Sequence, residues 1–341
     1  MNKKIAVLGT GANGSCVAAD LAGAGLDVVL IDQWPAHVEA MRAEGLRIKL
    51  PEEERHIRVN AYHLCDLATL SEDFDVVFLV LKAYDTRWAC EFIKPHLKDD
   101  GLLVGLQNAM TAGTIAEIVG PSRTLGCIVE LSSEMFTPGL VQRNTDNEKT
   151  WFGVGSMDAS TVGRENEIVE ILAHVGRVSV STDVLAGKWM KLVVNSMSMA
   201  PFAMLGLKLS EALDLPGVRE LAVRVGSEAL ELGQHLGHRI EPIFGLKAED
   251  LEGSNRLLEN FLEKLNRDLG PNMRDCVAQD YVKGRYTEVD MINGLVVEES
   301  KRRGIPAPAN AAMVEIARRI HSGALKPDPA NLDIAGKLLA N

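Results

Sequence analysis

Short apolar runs alternate with helical segments through the first half of this chain. The run KIAVL at 4–8 stops at Gly9, an alanine-rich helical stretch follows from Ser15, and the run LDVVLID ends at Asp32. A strand, glycine turn, helix and strand within about 30 residues form one βαβ unit. Further buried-strand candidates lie at 76–81, 101–108, 124–131 and 150–155. The alternation predicts a doubly wound, mostly parallel α/β sheet.

After about residue 184 the apolar period lengthens to 3.6 residues, and no convincing strand pattern follows. The helical segments cover 187–205, 217–237, 246–268, 273–303 and 308–321. We therefore predict a Rossmann-type dinucleotide-binding domain at 1–184 and an all-helical substrate and catalytic domain at 185–341. The proline-broken tail from Lys326 is expected to be loosely held.

Composition narrows the class of protein. The 341 residues can form two domains with separate cores, and a net charge of −11 argues against nucleic acid or an anionic membrane as partner. No stretch approaches the roughly 18 apolar residues of a membrane span, and the N-terminal apolar run is too short for an export signal. The five scattered cysteines lack a CxxC pair. They indicate reduced thiols in a cytoplasmic protein, with neither disulfides nor a metal site.

The segment GTGANG has the spacing of a dinucleotide-binding turn. Gly9 would permit the tight turn out of the first strand, Gly11 would let the backbone approach the pyrophosphate, and Gly14 would let the helix pack closely. The amides of Ala12 and Asn13 would open the helix and face the phosphates. An ordinary glycine-rich turn is the alternative, but the flanking strand and helix favour cofactor binding.

Asp32 lies 18 residues after Gly14, at the end of the second predicted strand. A carboxylate there can accept hydrogen bonds from the adenosine ribose and would repel a 2′-phosphate. Because Gln33 and Trp34 follow rather than a basic residue, the pattern favours NAD(H), without excluding NADP(H). A solvated turn aspartate is the alternative interpretation.

One predicted helix carries candidate catalytic groups. Lys191, Asn195 and Met199 are spaced i, i+4 and i+8, so they share a face, and Lys188 lies close to it. A lysine can protonate a carbonyl oxygen as hydride arrives, and an asparagine one turn on can orient lysine or substrate. A surface lysine is the alternative, but the surrounding segment is almost entirely apolar. Glu288 is a candidate acidic partner.

Several segments together resemble the ketopantoate reductase (2-dehydropantoate 2-reductase) family over nearly the whole chain. The matching pieces are GTGANG, LVLKAYDT, LQNAM, the KLVVN helix, KGRYTEVDMING and GIPAPAN. The resemblance implies a Rossmann domain joined to a helical domain of the 6-phosphogluconate-dehydrogenase-like type, with the active site in the cleft between them. It also implies reduction of 2-dehydropantoate to pantoate, a step of pantothenate biosynthesis.

The family pattern assigns roles by position. Lys82 and Asn108 would lie near the nicotinamide half of the cofactor. Lys191 would be the general acid, Asn195 would help bind the substrate, and Glu288 would sit by the substrate hydroxyl or the lysine.

The departures from the family pattern are equally specific. Ala109 replaces the glycine of QNG, Met199 stands where a second asparagine is expected, and Cys276 stands where a carboxylate-binding serine is expected. Asp32-Gln33 replaces a basic residue. The losses at 199 and 276 remove hydrogen-bonding groups from the expected substrate pocket, and such losses shift specificity strongly.

Three hypotheses follow. The first is an NAD(P)H-dependent reductase of a 2-oxo acid, of ketopantoate reductase type. The second is an NAD-dependent dehydrogenase of a different 2-hydroxy acid on a catabolic route. The third is a non-catalytic dinucleotide-binding sensor, which retention of Lys191, Asn195 and Glu288 disfavours. The apolar helical half leaves room for a homodimer interface, although the pattern does not require one.

Overall fold

A computed structural model of the chain describes residues 3–71, 73–245, 256–269 and 274–340. The chain forms two compact units, and the division falls after Gly187. The short segment Ile243–Gly245 belongs to the first unit, and the remaining described residues after Gly187 form the second.

The first unit contains twelve strands in its described residues. They are β1 (Lys4–Leu8), β2 (Asp27–Asp32), β3 (Leu46–Lys49), β4 (Glu54–Ile57), β5 (Asn60–His63), β6 (Phe74–Leu79), β7 (Leu97–Gly105), β8 (Thr124–Glu130), β9 (Ser133–Thr137), β10 (Leu140–Arg143), β11 (Trp151–Ser156) and β12 (Arg177–Val180). The helices between them are α1 (Ala12–Gly23), α2 (Pro35–Glu44), α3 (Thr86–Ile93), α4 (Ala112–Val119) and α5 (Glu165–Leu172).

Eight strands form the main sheet, in the order β12-β11-β8-β7-β6-β1-β2-β5. Neighbouring strands are parallel except for the antiparallel pair of β8 and β11. The central strands are almost continuously apolar because helices cover the sheet, as expected for a parallel sheet. The predicted doubly wound α/β sheet is confirmed.

A second, four-stranded sheet was not predicted from the sequence. Its order is β4-β3-β10-β9, and it packs on α1. Because α1 also packs on β1 and β2, sheets cover two of its sides. Its buried positions are therefore filled with small side chains, including Ser15, Cys16, Ala18 and Ala19.

The described residues of the second unit are helical. Helix α6 (Val184–Ser198) runs into this unit, and it is followed by α7 (Ala200–Ala203), α8 (Leu209–Leu213), α9 (Val218–His235), α10 (Leu257–Leu269), α11 (Cys276–Lys283), α12 (Val289–Arg303), α13 (Pro308–His321) and α14 (Asn331–Leu339). The predicted helix at 246–268 falls partly outside the described residues, at 246–255. No helix within the described ranges is both long and apolar enough to cross a membrane.

Two predictions for the C-terminal half are wrong, one for a helical segment and one for the tail. The segment 273–303 is not one helix, because Gly284 ends α11 with a left-handed backbone (φ 62°) and α12 starts after Glu288. The tail is not loosely held, because it forms α14, whose buried Asn331 donates hydrogen bonds to the carbonyls of Met204 and Lys326, both at 2.8 Å.

The GIPAPAN segment links α12 to α13, and its last three residues, Pro308–Asn310, form the start of α13. The Glu228 carboxylate on α9 accepts hydrogen bonds from the amides of Ala309 (2.8 Å) and Asn310 (2.9 Å). The buried Asn310 side chain donates to the Val225 carbonyl at 3.0 Å and accepts from Asn293 on α12 at 3.0 Å. This motif therefore joins α9, α12 and α13, and its role here is structural.

Candidate active site

The three glycines of the turn between β1 and α1 have three different surroundings. Gly9 has a φ of 93°, and Gly14 is so close to the turn that a Cβ there would lie 2.0 Å from the Gly9 carbonyl oxygen. At Gly11, by contrast, a Cβ would meet no heavy atom of the described chain within 4 Å. The open space beside Gly11, at the amide end of α1, suits the pyrophosphate of a dinucleotide.

Asp32 is held firmly at the end of β2. Its carboxylate accepts hydrogen bonds from the amide of Thr10 (2.6 Å), the hydroxyl of Thr10 (3.2 Å) and the amide of Trp34 (2.8 Å). The residue is 6% exposed, so it is not a solvated turn aspartate. Each carboxylate oxygen has two lone pairs, which leaves acceptor capacity beyond these bonds.

Lys82 and Asn108 lie beyond the carboxyl ends of β6 and β7, neighbouring strands of the main sheet. The buried Gln107 side chain donates hydrogen bonds to the carbonyls of Leu81 (2.9 Å) and Lys82 (3.3 Å), and so joins the two strand ends. The next residue but one, Ala109, is buried with a φ of 60°. A left-handed backbone costs alanine about 1–2 kcal/mol, so this departure from the family glycine carries strain.

Helix α6 carries the predicted catalytic face. Asn195 is 4% exposed and Lys191 is half-buried, one turn before it. The lysine that is deeply buried is Lys188, at 3% exposure. Met199 follows the end of the helix and donates its amide to the Asn195 carbonyl at 3.1 Å. Of these two lysines, Lys191 is thus the more exposed to solvent.

The remaining predicted residues converge at the end of α6. The Cys276 thiol lies 3.6 Å from the Met199 sulfur and 3.9 Å from a carboxylate oxygen of Glu288. Glu288 is 3% exposed, and its side chain makes no capping bond to α12 although it stands at the start of that helix. Three residues far apart in sequence are therefore brought together within the second unit.

Asp275 precedes Cys276 and caps α11. Its carboxylate accepts hydrogen bonds from the amides of Val277 (2.8 Å) and Ala278 (3.0 Å). Burial of the carboxyl group raises its pKa to about 7, against the lowering effect of these amide bonds. The negative charge at the start of α11 is therefore only partly developed near neutral pH.

Three residues with no predicted role make hydrogen bonds to the segments that are predicted to bind the dinucleotide. They are Gln107, Ser133, whose hydroxyl donates to the Asn13 side chain at 2.6 Å, and the buried His37 on α2. His37, Val38 and Met41 form one buried face of α2. A histidine among these core-facing positions is a usable sequence signal, whereas Ser133 gives none because its sheet was not predicted.

Family models match both halves of the chain. The model described as ketopantoate reductase PanE/ApbA matches residues 5–156, and the model of the C-terminal part of the same family matches residues 183–321. Among curated relatives, the 2-dehydropantoate 2-reductase of Mesorhizobium japonicum is 29% identical over 93% of this chain and 97% of its own length. That of Archaeoglobus fulgidus is 25% identical over 94% of this chain and 99% of its own.

Solved structures show the same fold. The PanE/ApbA family ketopantoate reductase from Ralstonia eutropha JMP134 is 25% identical, with a TM-score of 0.79 over 94% of this chain and 99% of that one. A D-mandelate dehydrogenase in complex with NADH and anilino(oxo)acetate has a TM-score of 0.83 at 18% identity, over 94% of this chain and 98% of that one. At that identity the second likeness concerns the fold alone.

The surroundings of the glycines predict that two similar substitutions affect different properties, one dinucleotide binding and the other stability. Gly11→Ala leaves the fold intact, because its methyl group enters open space, but it weakens dinucleotide binding at least tenfold by blocking the pyrophosphate. Gly14→Ala destabilises the protein by about 3 kcal/mol or more, since its methyl group overlaps the Gly9 carbonyl. Titration of NAD⁺ binding and urea unfolding of both variants measure the two effects.

The control is Gly23→Ala at the end of α1, where the nearest atom to the new Cβ is 3.9 Å away. Neither binding nor stability should fall in that variant. Equal loss of dinucleotide affinity in Gly11→Ala and Gly23→Ala would contradict the assignment of the open space to the pyrophosphate.

Proposed function

Because this chain belongs to the ketopantoate reductase family across both of its matched parts, we propose that it reduces a 2-oxo acid to a 2-hydroxy acid with a nicotinamide cofactor. The leading reaction is 2-dehydropantoate to pantoate, the one named for the curated relatives. The observation that carries the general proposal, reduction of a 2-oxo acid whatever its side chain, is the convergence of Met199, at the end of the lysine helix, with Cys276 and Glu288.

The residues of the second unit divide the work of such a reduction. The dinucleotide, when bound, supplies the hydride to the ketone carbon. Lys191 hydrogen-bonds the ketone oxygen and transfers a proton to it as negative charge develops there. Asn195, buried one turn further along α6, orients the lysine or the substrate through its amide. The Glu288 carboxylate serves the substrate hydroxyl or the ammonium group of the lysine.

Replacing Lys191 tests whether the protein is an enzyme or a non-catalytic dinucleotide sensor. Lys191→Ala should lower turnover about 10²–10⁴-fold, the usual contribution of a positioned proton donor, while NADH affinity stays within about twofold. Steady-state kinetics and NADH fluorescence titration measure the two properties. Lys301→Ala, on an exposed turn of α12, is the control and should retain full activity. Unchanged turnover in Lys191→Ala would remove the lysine from the mechanism.

A second candidate function is favoured by the contact between Met199 and Cys276. A thioether and a thiol are weak hydrogen-bonding groups compared with an amide and a hydroxyl. At 3.6 Å the two sulfur atoms contact each other, and they present a soft, largely apolar surface next to Glu288. Such a surface suits a 2-oxo or 2-hydroxy acid with an apolar side chain better than one with a hydroxyl group.

Two substrates that differ in one hydroxyl group distinguish the two functions. 3,3-Dimethyl-2-oxobutanoate has the carbon skeleton of 2-dehydropantoate and lacks only its hydroxyl. A site that binds the hydroxyl should prefer 2-dehydropantoate by about 10⁴-fold in kcat/KM, whereas an apolar site should favour the analogue or discriminate by no more than about tenfold. Reduction of neither acid, although cofactor binds, would direct the search to other 2-oxo acids.

We further propose that Asp32 makes NADH the preferred cofactor. Its fixed carboxylate has acceptor capacity for the ribose hydroxyls and would repel a 2′-phosphate. The protein should therefore bind NADH at least tenfold more tightly than NADPH. Asp32→Asn keeps an acceptor oxygen and removes the charge, so it should lower this ratio about tenfold or more. Titration of both cofactors measures the ratio, and a wild-type preference for NADPH would overturn the proposal.

A further inference from the structure

A buried histidine is hydrogen-bonded to the glycine turn between β1 and α1. His37 is 0% exposed on the first turn of α2. Its Nε2 lies 2.8 Å from the Thr10 carbonyl oxygen and 3.2 Å from the Ser15 hydroxyl, while Nδ1 accepts a hydrogen bond from the Gly139 amide at 2.9 Å. Because an amide can only donate, Nδ1 carries no proton. The ring is therefore the neutral tautomer with its proton on Nε2.

The bond to Thr10 sets the direction of the next amide. In a trans peptide the C=O of one residue and the N–H of the following residue point in opposite directions. The Thr10 carbonyl is held by His37 and by the Ser15 hydroxyl, which donates to it at 2.7 Å. The Gly11 N–H therefore points away from His37. Gly11 is the residue of the turn with open space beside it.

The preceding peptide is fixed as well. The Thr10 amide donates to the Asp32 carboxylate at 2.6 Å, so both polar groups of the Thr10 backbone are bonded to side chains. Asp32 stands at the end of β2 and His37 on α2, which follows it. The conformation of the turn thus depends on side chains from the next strand and helix, and not on glycine alone.

We propose that His37 is a positioning residue of the dinucleotide site, whose neutral Nε2–H tautomer fixes the Thr10–Gly11 peptide so that the Gly11 amide faces the pyrophosphate. The proposal rests on the dinucleotide binding in the proposed function, not on the identity of the acid that is reduced. His37 also ties the turn to the second sheet, since Gly139 lies between β9 and β10.

Protonation would break this arrangement. A proton on Nδ1 would face the Gly139 N–H, donor against donor, and remove that hydrogen bond. Burial lowers the pKa of His37, although the negative charge of Asp32 and the bond to the Thr10 carbonyl oppose that shift. The groups that face the ring from α1 and the second sheet, Ser15 and Gly139, are uncharged.

The pH dependence has a definite sign. Well above about pH 6.5 His37 is neutral in both the folded and unfolded chain, so neither stability nor affinity changes on its account. As pH falls below that value the unfolded chain binds the proton first, and stability is lost until the lowered pKa of the folded protein is passed. NAD⁺ affinity falls as pH drops through that lowered pKa. By linkage, bound NAD⁺ lowers the pKa of His37 further.

Two substitutions of His37 each retain a polar group near one of its two ring nitrogens and lose the other. His37→Asn places an acceptor near the Gly139 amide and removes the donor to Thr10. His37→Gln retains a donor near the Nε2 position and does not titrate. We expect NAD⁺ to bind about 5–10-fold more weakly to His37→Asn, the effect of one lost hydrogen bond, and within about threefold of wild type to His37→Gln. Calorimetric titration with NAD⁺ from about pH 8 to about pH 5 measures both.

The control is His174→Asn, which makes the same exchange at an exposed position of the first unit and should leave affinity unchanged. The wild type should lose affinity on acidification, and His37→Gln should lose less. A lower melting temperature of His37→Asn with unchanged NAD⁺ affinity would overturn the proposal, because His37 would then be only structural. Failure of the wild type to bind NAD⁺ or NADP⁺ would instead refute the proposed function.

A measurement on the wild-type protein avoids variants that fail to fold. Nitrogen-15 spectra of the histidine rings should show one buried ring as the Nε2–H tautomer, with a pKa below about 6.5 that falls further when NAD⁺ is added. His37→Gln identifies the signal where that variant folds. A ring that titrates at an unshifted pKa, or whose pKa does not respond to NAD⁺, would overturn the proposal.

Discussion

The approach of α1 to β1 is the constraint on which the first unit depends. A Cβ at Gly14 would lie only 2.0 Å from the Gly9 carbonyl oxygen, so α1 approaches the turn more closely than any residue other than glycine would allow. The N-terminus of α1 is consequently held at the carboxyl end of β1, where the N–H groups of its first turn can stabilise a bound anion. The second sheet completes this packing from the other side of α1. A larger residue in the middle of the helix would have to displace one of the two sheets.

The main sheet and the glycine turn could be predicted because their signals are local. Strands of five and six residues, each with four consecutive apolar residues and each ending at a glycine or a polar residue, mark β1 and β2 without reference to the rest of the chain. The second sheet has no such signal. Its strand β3 pairs with β10, about ninety residues further on, and each strand has only four residues. Sequence periodicity over four residues does not distinguish a strand from a loop.

The contact among Met199, Cys276 and Glu288 in the second unit could not be predicted from the sequence. Met199 and Cys276 are 77 positions apart, and from the sequence they are two separate departures from a family pattern. In the structure they form one sulfur contact, so each provides the environment in which the other is accommodated. Substitutions at such a pair are not expected to be additive. The break at Gly284, which the helical period conceals, allows α12 to start just after Glu288, whose carboxylate lies at the same contact.

The strained backbone of Ala109 lies near a residue that is fixed by buried hydrogen bonds. A left-handed alanine persists only if its neighbours determine the backbone more strongly than its own preference does. Gln107, two residues earlier, is itself held in place, because its buried amide is bonded to the carbonyls of Leu81 and Lys82. The same bonds hold the end of β6 against the end of β7, with Asn108 between the anchored residue and the strained one. The strained residue therefore lies just beyond the point where a side chain joins the carboxyl ends of β6 and β7.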